Sequence, residues 1–140
     1  MALTGVGTDV RLESKLYGGT LLLAESNIMT NEVQLLGGNL AVDDGKSNSL
    51  GALTASKPGT ITVGAGGSLT FASFTPNASL AAKSILIDAP LTGNALKFGT
   101  DIRSYSAYFR WKDGDKRYHI RQDADGYLHP LMGGTALSVR

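Results

Sequence analysis

Short apolar runs separated by glycine-rich turns are the feature that most constrains this 140-residue chain. Eighteen residues are glycine, about twice the usual share, and glycine disfavours helices while permitting tight turns. Within the runs, apolar and polar residues often alternate with a period of two, as in a half-buried strand. Val10, Leu12 and Leu16 share one parity, for example, and charged residues occupy most of the other. The pattern predicts an all-β fold of short strands.

Most of the predicted strands are bounded by Gly, Pro, Asn, Asp or Ser. After the first strand, which ends at Gly18-Gly19, they cover residues 21–23, 33–36, 40–42, 61–63, 69–71, 85–87 and 96–98. The one helical candidate is the segment 77–83, which follows Pro76 and would form about two turns. The same segment would fit equally well as a non-helical connection to the next strand.

A Gly-Gly-polar-Leu motif recurs at residues 18–21, 37–40 and 66–69, with a looser copy at 133–137. The glycine pair permits a positive φ or a bulge, after which a strand begins with a buried leucine. Successive intervals are 19 and 29 residues, whereas a regular solenoid would show a fixed period. We therefore expect one all-β domain over residues 1–140, folded as a jelly-roll-like β-sandwich. An irregular β-solenoid is the alternative.

Charge and aromatic residues are distributed unevenly along the chain. Residues 1–96 hold five basic and seven acidic side chains, a net charge of −2, whereas residues 97–140 hold eight and five, a net charge of +3. Seven of the ten aromatic residues also lie after residue 96. The small overall charge of +1 argues against a dedicated nucleic-acid-binding protein, since such proteins are usually strongly basic.

The clearest local prediction is a β-hairpin formed by residues 108–112 and 116–121 around the turn Asp113-Gly114-Asp115. The alternation places Phe109, Trp111, Tyr118 and Ile120 on one face. It places Arg110, Lys112, Arg117, His119 and Arg121 on the other. The basic face is interpreted as a solvated or protein-facing surface, as a patch for an acidic partner, or as a nucleic-acid site. The aromatic residues of the hairpin lie on the opposite face, which favours a role in the core.

The candidate motifs for catalysis and for metal binding are all incomplete in this sequence. The chain has no cysteine and only two histidines, His119 and His129, without a short metal-binding spacing. The loop beginning at Asp123 lacks the glutamate that an EF-hand requires at its twelfth position, which here is Gly134. Ser68 lacks a nucleophile elbow, and residues 64–67 lack the lysine of a phosphate-binding loop. We expect no enzymatic activity, no cofactor and no metal site.

Residues 1–9 show neither the positive start nor the apolar run of a secretory signal. The longest clear apolar run, residues 21–24, is far shorter than the roughly 20 residues that span a bilayer. The sequence therefore predicts a protein made in a cytoplasm, without membrane insertion.

Two stretches resemble autotransporter-associated β-strand repeats. They are residues 35–45, with the sequence LLGGNLAVDDG, and residues 59–71, with the sequence GTITVGAGGSLTF. Residues 97–101 and 125–130 resemble the terminal strands that follow such repeats. This resemblance implies an adhesin-like or fibre β-module that binds carbohydrate or a cell surface.

In its overall form, as a small, cysteine-free, glycine-rich all-β chain, the protein resembles the jelly-roll cement (decoration) proteins of tailed bacteriophages. That resemblance implies a structural virion protein, made in the host cytoplasm, which binds the outer capsid surface and cements neighbouring major capsid subunits after expansion. This is the function that we expect, and the adhesin-like or fibre β-module is the alternative. The resemblance to cement proteins also implies self-association as a dimer, with no direct contact to nucleic acid or membrane.

Cement proteins of this kind bind through edge strands and arms, so residues 1–8 and 131–140 are the expected docking arms. Aromatic and arginine residues are enriched at interface hot spots. On this basis the expected interface residues are Tyr105, Tyr108, Arg110, Lys112, Arg117 and Arg121.

Overall fold

The computed structural model of the protein describes residues 2–3, 14–16, 19–28, 30 and 32–131. Within these ranges the chain forms strands, turns and the 3₁₀ helix Arg103–Tyr108, which confirms the all-β prediction. The strands are β1 (Ala2–Leu3), β2 (Ser14–Leu16), β3 (Thr20–Leu23), β4 (Val33–Leu36), β5 (Asn39–Val42), β6 (Ser47–Leu50), β7 (Leu53–Lys57), β8 (Gly59–Val63), β9 (Ser68–Phe71), β10 (Phe74–Pro76), β11 (Ile85–Asp88), β12 (Leu96–Phe98), β13 (Phe109–Asp113), β14 (Lys116–Tyr118), β15 (Ile120–Gln122) and β16 (Leu128–Pro130).

The strands stack into three largely parallel sheets. The longest has the order β1-β3-β5-β8-β11-β13-β14, the second β10-β7-β4-β2 and the third β12-β9-β6. The chain visits the second, first and third sheets in turn, so β4, β5 and β6 form one coil and β7, β8 and β9 the next. Each coil lies against its neighbours through backbone hydrogen bonds between equivalent strands.

The strand pairing differs from the expected jelly roll. Ten of the twelve strand pairs in the described residues are parallel, whereas a jelly roll is built from antiparallel strands. The parallel, coil-by-coil pairing agrees instead with the alternative, an irregular β-solenoid. Parallel strands require a long connection between partners, and here each connection is the rest of one coil.

The coils differ in length, which explains why the Gly-Gly-polar-Leu motif shows no fixed period. Paired residues are 19 apart between the first two coils (Ser14 and Val33) and 21 apart between the next two (Ser47 and Ser68). The motif copies at 18–21 and 37–40 precede strands of the same sheet, but the copy at 66–69 precedes a strand of a different sheet. The interval of 29 residues is therefore one coil plus part of the next.

The later coils are lengthened by insertions. Ile85 pairs with Gly59, an offset of 26 residues, although the same two coils are offset by 21 residues where Phe74 pairs with Leu53. The extra residues lie in the segment 77–84, which forms turns, so the helical candidate at 77–83 is wrong. Asn77 caps the first of these turns by accepting hydrogen bonds from the Ser79 N–H and hydroxyl at 2.9 and 2.8 Å.

Columns of apolar side chains fill the space between the three sheets. In the longest sheet one column contains Leu21, Leu40, Ile61, Ile87 and Trp111, which are paired strand to strand in that order and are all buried. Parallel stacking places equivalent inward positions directly above one another, so each coil covers the apolar residues of the coil before it.

Aromatic residues and a hairpin close the C-terminal end of the stack. Phe74 contacts the rings of Phe98, Phe109, Tyr105 and Tyr108 at centroid distances between 4.9 and 6.2 Å. Beyond this cluster, β13 and β14 form the predicted hairpin, with Asp113 paired to Lys116 around Gly114 at φ 58°. The predicted inward face is confirmed for Phe109 and Trp111, which are buried. The return strand ends at Tyr118 and not at the predicted residue 121, although Ile120 is buried as well. Ile120 belongs to a separate hairpin, β15–β16.

The expected docking arms lie mostly outside the described residues: Ala2, Leu3 and Leu131 are the described positions of the segments 1–8 and 131–140. Ala2 and Leu3 form β1, which pairs in parallel with β3 at the edge of the longest sheet. No helix in the described ranges is long and apolar enough to cross a membrane.

Candidate functional site: a basic groove on the last coil

Outward-facing residues of the longest sheet form rows that run across the coils. In one row Asn39 pairs with Thr60, Thr60 with Leu86, and Leu86 with Arg110. In the neighbouring row Thr62 pairs with Asp88 and Lys112 pairs with Arg117, and the Lys112 ammonium lies 3.9 Å from an Asp88 carboxylate oxygen. The alternation that buries Ile61, Ile87 and Trp111 directs these residues to the opposite face. The face therefore changes from hydroxyl and amide groups to cationic groups as it approaches β13 and β14, which belong to the last coil.

At the cationic end of this face lies a concavity of about 420 Å³, lined by Lys83, Leu86, Arg110, Arg117 and His119; we call it the basic groove. Three of its five residues carry a fixed positive charge, and none of the five is acidic. Extending the β13–β14 register by one residue pair places His119 opposite Arg110. Lys83 joins the groove from the turn that precedes β11.

The two arginines of the basic groove are held by backbone carbonyl groups. Nη1 of Arg110 donates to the carbonyl oxygens of Phe109 at 2.7 Å and Ala107 at 3.2 Å. Nη1 of Arg117 donates to the carbonyl oxygens of Gly114 at 2.8 Å and Lys116 at 2.9 Å. In the described part of the chain, no carboxylate lies within ion-pair distance of either guanidinium. Each guanidinium is thus oriented through one nitrogen, and the N–H groups on its other nitrogens have no protein acceptor there.

The backbone conformation of Lys83 is unusual. Its φ of 65° lies in the left-handed region, which non-glycine residues adopt uncommonly and often at functional sites. The Lys83 N–H donates to the Ala107 carbonyl oxygen at 2.9 Å, and Nη1 of Arg110 donates to the same oxygen. One carbonyl group therefore fixes both the turn that carries Lys83 and the guanidinium of Arg110.

The structure brings only some of the six predicted interface residues together. Arg110 and Arg117 line the basic groove, whereas Lys112, the strand partner of Arg117, lies 3.9 Å from an Asp88 carboxylate oxygen. Arg121 is exposed on β15, in a different sheet. Tyr105 and Tyr108 are half-buried against Phe74, so they contribute to the aromatic cluster at the end of the core.

Two groove residues, Lys83 and Leu86, were missed from the sequence. Both precede Arg110 by more than twenty residues, and they join it because β11 and β13 pair in parallel, with Leu86 opposite Arg110. No local sequence pattern predicts that pairing. A signal was present in the alternation of 85–87, which predicts that Leu86 faces outward, but it does not identify the neighbouring strand.

A second concavity, of about 610 Å³, contains both acidic and basic residues, among them Asp101, Arg103 and Asp123. Asp101 accepts from Nε and Nη2 of Arg103 at 2.9 and 2.7 Å, and this side-chain pairing, with the Arg103 backbone N–H, lowers the pKa of Asp101 to about 2. The ring of His129 lies 2.8 Å from Oδ2 of Asp123, and this hydrogen bond lowers the pKa of Asp123.

Asp123 also accepts backbone N–H groups of Asp125 and Tyr127 at 2.9 and 3.0 Å, so the Asp123–Gly126 segment is a turn held by its own first residue. Across the described ranges, no three His, Cys, Asp or Glu side chains are grouped so that they could hold a metal ion. In the second concavity Asp101 is therefore engaged with Arg103, and Asp123 with the nearby His129, unlike the cations of the basic groove.

Comparisons of this chain with protein-family models, with curated proteins and with solved structures found no match.

Proposed function

We propose that the protein is a non-enzymatic, surface-displayed binding module of the fibre or adhesin type, which binds carbohydrate or a cell surface. The observation that carries this proposal is the parallel stacking of coils, with ten parallel strand pairs. Stacked coils repeat outward-facing side chains at a regular spacing and form extended binding faces. A face of this kind suits a linear polymer better than it suits the chemistry of a small substrate.

The interior of the stack supports the same proposal. Its columns are apolar, and the buried polar residues in the described ranges are Asn48 and Ser84, both hydrogen-bonded. No buried side-chain nitrogen or oxygen among the described residues is left without a partner. Polar groups available to a ligand therefore lie on the outer faces.

A saccharide panel tests this function. The purified chain is titrated with neutral and acidic polysaccharides while its melting temperature is followed, since a ligand that binds only the folded state raises that temperature. We expect at least one polysaccharide class to raise it in a concentration-dependent way. If no polysaccharide changes the melting temperature or binds in a direct assay, the proposed function is wrong.

A second candidate function is capsid cementing: a virion protein on the outer capsid surface that bridges major capsid subunits and self-associates as a dimer. The observation in its favour is β1, because it lies at the edge of the longest sheet within the proposed arm 1–8. An edge strand offers unpaired backbone groups to a partner sheet, and many weak contacts on one shell would sum to tight binding.

The cement hypothesis has a direct test. The chain is mixed with purified, expanded capsid shells, and sedimentation and heat resistance of the shells are measured with and without it. Binding with a rise in heat resistance would favour cementing over the fibre or adhesin function. Absence of both effects would remove this candidate.

A further inference from the structure

We propose that the basic groove binds the acidic groups of a polysaccharide, with Arg110, Arg117 and Lys83 contacting its carboxylates or sulfates. This inference rests on the proposed function and names the ligand class and the residues that would recognise it. The groove is lined by three cationic side chains and His119 without an acidic residue, in a concavity of about 420 Å³.

Among the described residues, no carboxylate forms an ion pair with the cations of the groove. The ion pairs of the described residues involve Lys46, Arg103, Lys112 and His129, none of which lines the groove. Asp88, the acidic residue on the adjoining strand, lies near Lys112. Like charges held together without counter-charges repel one another, and an anionic ligand would relieve that repulsion.

The arginine geometry fits an oxyanion. Carboxylate and sulfate groups accept two parallel N–H bonds from a guanidinium, and this fork-like pairing is stronger than a bond between neutral groups. Arg110 and Arg117 use Nη1 for backbone carbonyl groups, and their remaining N–H groups meet no acceptor among the described residues, which leaves them available to such a ligand. Because the carbonyl groups already orient the side chains, less conformational entropy is lost on binding.

The surroundings of the groove favour a polysaccharide over a nucleic acid. The lining contains no Phe, Tyr or Trp, so His119 supplies the one lining ring on which a base of a single-stranded nucleic acid could stack. The outward row continues from Arg110 through Leu86 to Thr60 and Asn39, one residue per strand. Neighbouring strands lie about 4.8 Å apart, so a linear chain lying along this row would meet an apolar side chain and then hydroxyl and amide groups.

The experiment compares a groove variant with a charge-matched control. The groove variant carries Lys83→Gln, Arg110→Gln and Arg117→Gln. The control carries Lys46→Gln, Lys57→Gln and Arg121→Gln, which remove the same charge outside the groove. Circular dichroism and the melting temperature establish that both are folded. Binding is measured by calorimetry with dextran sulfate, alginate, neutral dextran and a single-stranded oligothymidine of similar length.

We expect dextran sulfate, alginate or both to bind the original chain. Comparing these two polysaccharides distinguishes sulfate recognition from carboxylate recognition. The groove variant should bind at least tenfold more weakly, whereas the control should change by less than threefold. Neutral dextran should not bind. The single substitution Arg110→Lys, which keeps the charge but removes the fork, should weaken binding several-fold.

Equal losses in the groove variant and the control would overturn the inference, since binding would then follow net charge alone. Oligothymidine binding as tightly as the acidic polysaccharides would overturn it as well, and so would an absence of acidic-polysaccharide binding. If a neutral saccharide binds equally to the original chain and the groove variant, the inference fails while the proposed function stands.

Discussion

Asn48 shows how a single polar residue can fix the path of a coil. It is 2 % exposed, its Oδ1 accepts from the Ile28 N–H and its Nδ2 donates to the Glu25 carbonyl oxygen, both at 2.9 Å. Two backbone groups of the preceding coil are thereby satisfied inside the protein, where an unpaired polar group would be costly. The hydrogen bonds also hold the turn 25–28 against β6.

Replacing Asn48 by alanine is expected to reduce the free energy of unfolding by about 2 kcal/mol, because a buried N–H and a carbonyl lose their partners. Chemical denaturation measures the loss. Asn94→Ala is the matched control, since Asn94 is exposed, and it should change stability by less than about 0.5 kcal/mol. An Asn48→Ala protein as stable as the control would contradict this role.

Asp101 gives a residue-scale prediction about pH. Its carboxylate is hydrogen-bonded to Arg103, which lowers its pKa from 3.8 to about 2. A lowered pKa means that the folded state favours the charged form, so the stabilisation is present above pH 4 and is lost as the pH falls through about 2. Both side chains are largely exposed, so solvent screening keeps the effect on stability small.

A carboxyl-carbon NMR titration measures this pKa directly. Arg103→Gln should raise the pKa of Asp101 toward 3.8 without reaching it, because the backbone N–H at position 103 still donates to Oδ1. Lys112→Gln, which alters a different ion pair, should leave it unchanged. A midpoint near 3.8 in the original chain would contradict the hydrogen-bonded pair.

At the scale of elements, local patterns predicted individual strands but not their partners. The hairpin β13–β14 was predicted because its partners are adjacent in sequence and its turn contains glycine. Strands β6, β7 and β10 were missed, since SNSL, LTASK and FTP carry few apolar residues. The parallel pairs join residues 19 to 27 positions apart, and no local signal specifies such a variable offset.

The β13–β14 hairpin caps the C-terminal end of the stack. A stack of coils exposes its apolar interior at each end, so a terminal element must cover it. Trp111 is 1 % exposed and is paired with Ile87 on one side and with the half-buried Tyr118 of β14 on the other. Its Nε1 donates to the Ala89 carbonyl oxygen at 3.1 Å.

Trp111→Ala is therefore expected to reduce the free energy of unfolding by about 3–5 kcal/mol, as large-to-small changes of buried aromatic residues do. Denaturant unfolding measures this, and light scattering should detect association through the uncovered end. Trp111→Phe keeps a ring but loses the hydrogen bond, so its free energy of unfolding should lie between that of Trp111→Ala and that of the original protein. A loss below about 1 kcal/mol for Trp111→Ala would show that the hairpin does not cap the stack.

At the scale of the whole molecule, the stacking of the coils brings the residues of the candidate site together. The basic groove draws on β11 and the turn before it, on β13, and on β14 with the residue that follows it. The alternation along one predicted hairpin placed Arg110, Arg117 and His119 on one basic face. It could not add Lys83 and Leu86, because their proximity depends on parallel stacking between coils.

Cysteine cross-linking tests this parallel stacking most directly, because the chain contains no cysteine of its own. Thr54 and Thr75 are paired across β7 and β10, and neither is buried. Their Cα atoms should lie about 4.8 Å apart, within disulfide range. Gln34 and Thr75 are separated by the intervening β7, at roughly 10 Å.

Under mild oxidation, the Thr54→Cys/Thr75→Cys protein should form an intramolecular disulfide, detected by mass spectrometry and non-reducing electrophoresis. The Gln34→Cys/Thr75→Cys control should remain reduced or cross-link only between molecules. A disulfide in the control but not in the paired variant would contradict the parallel coil stack.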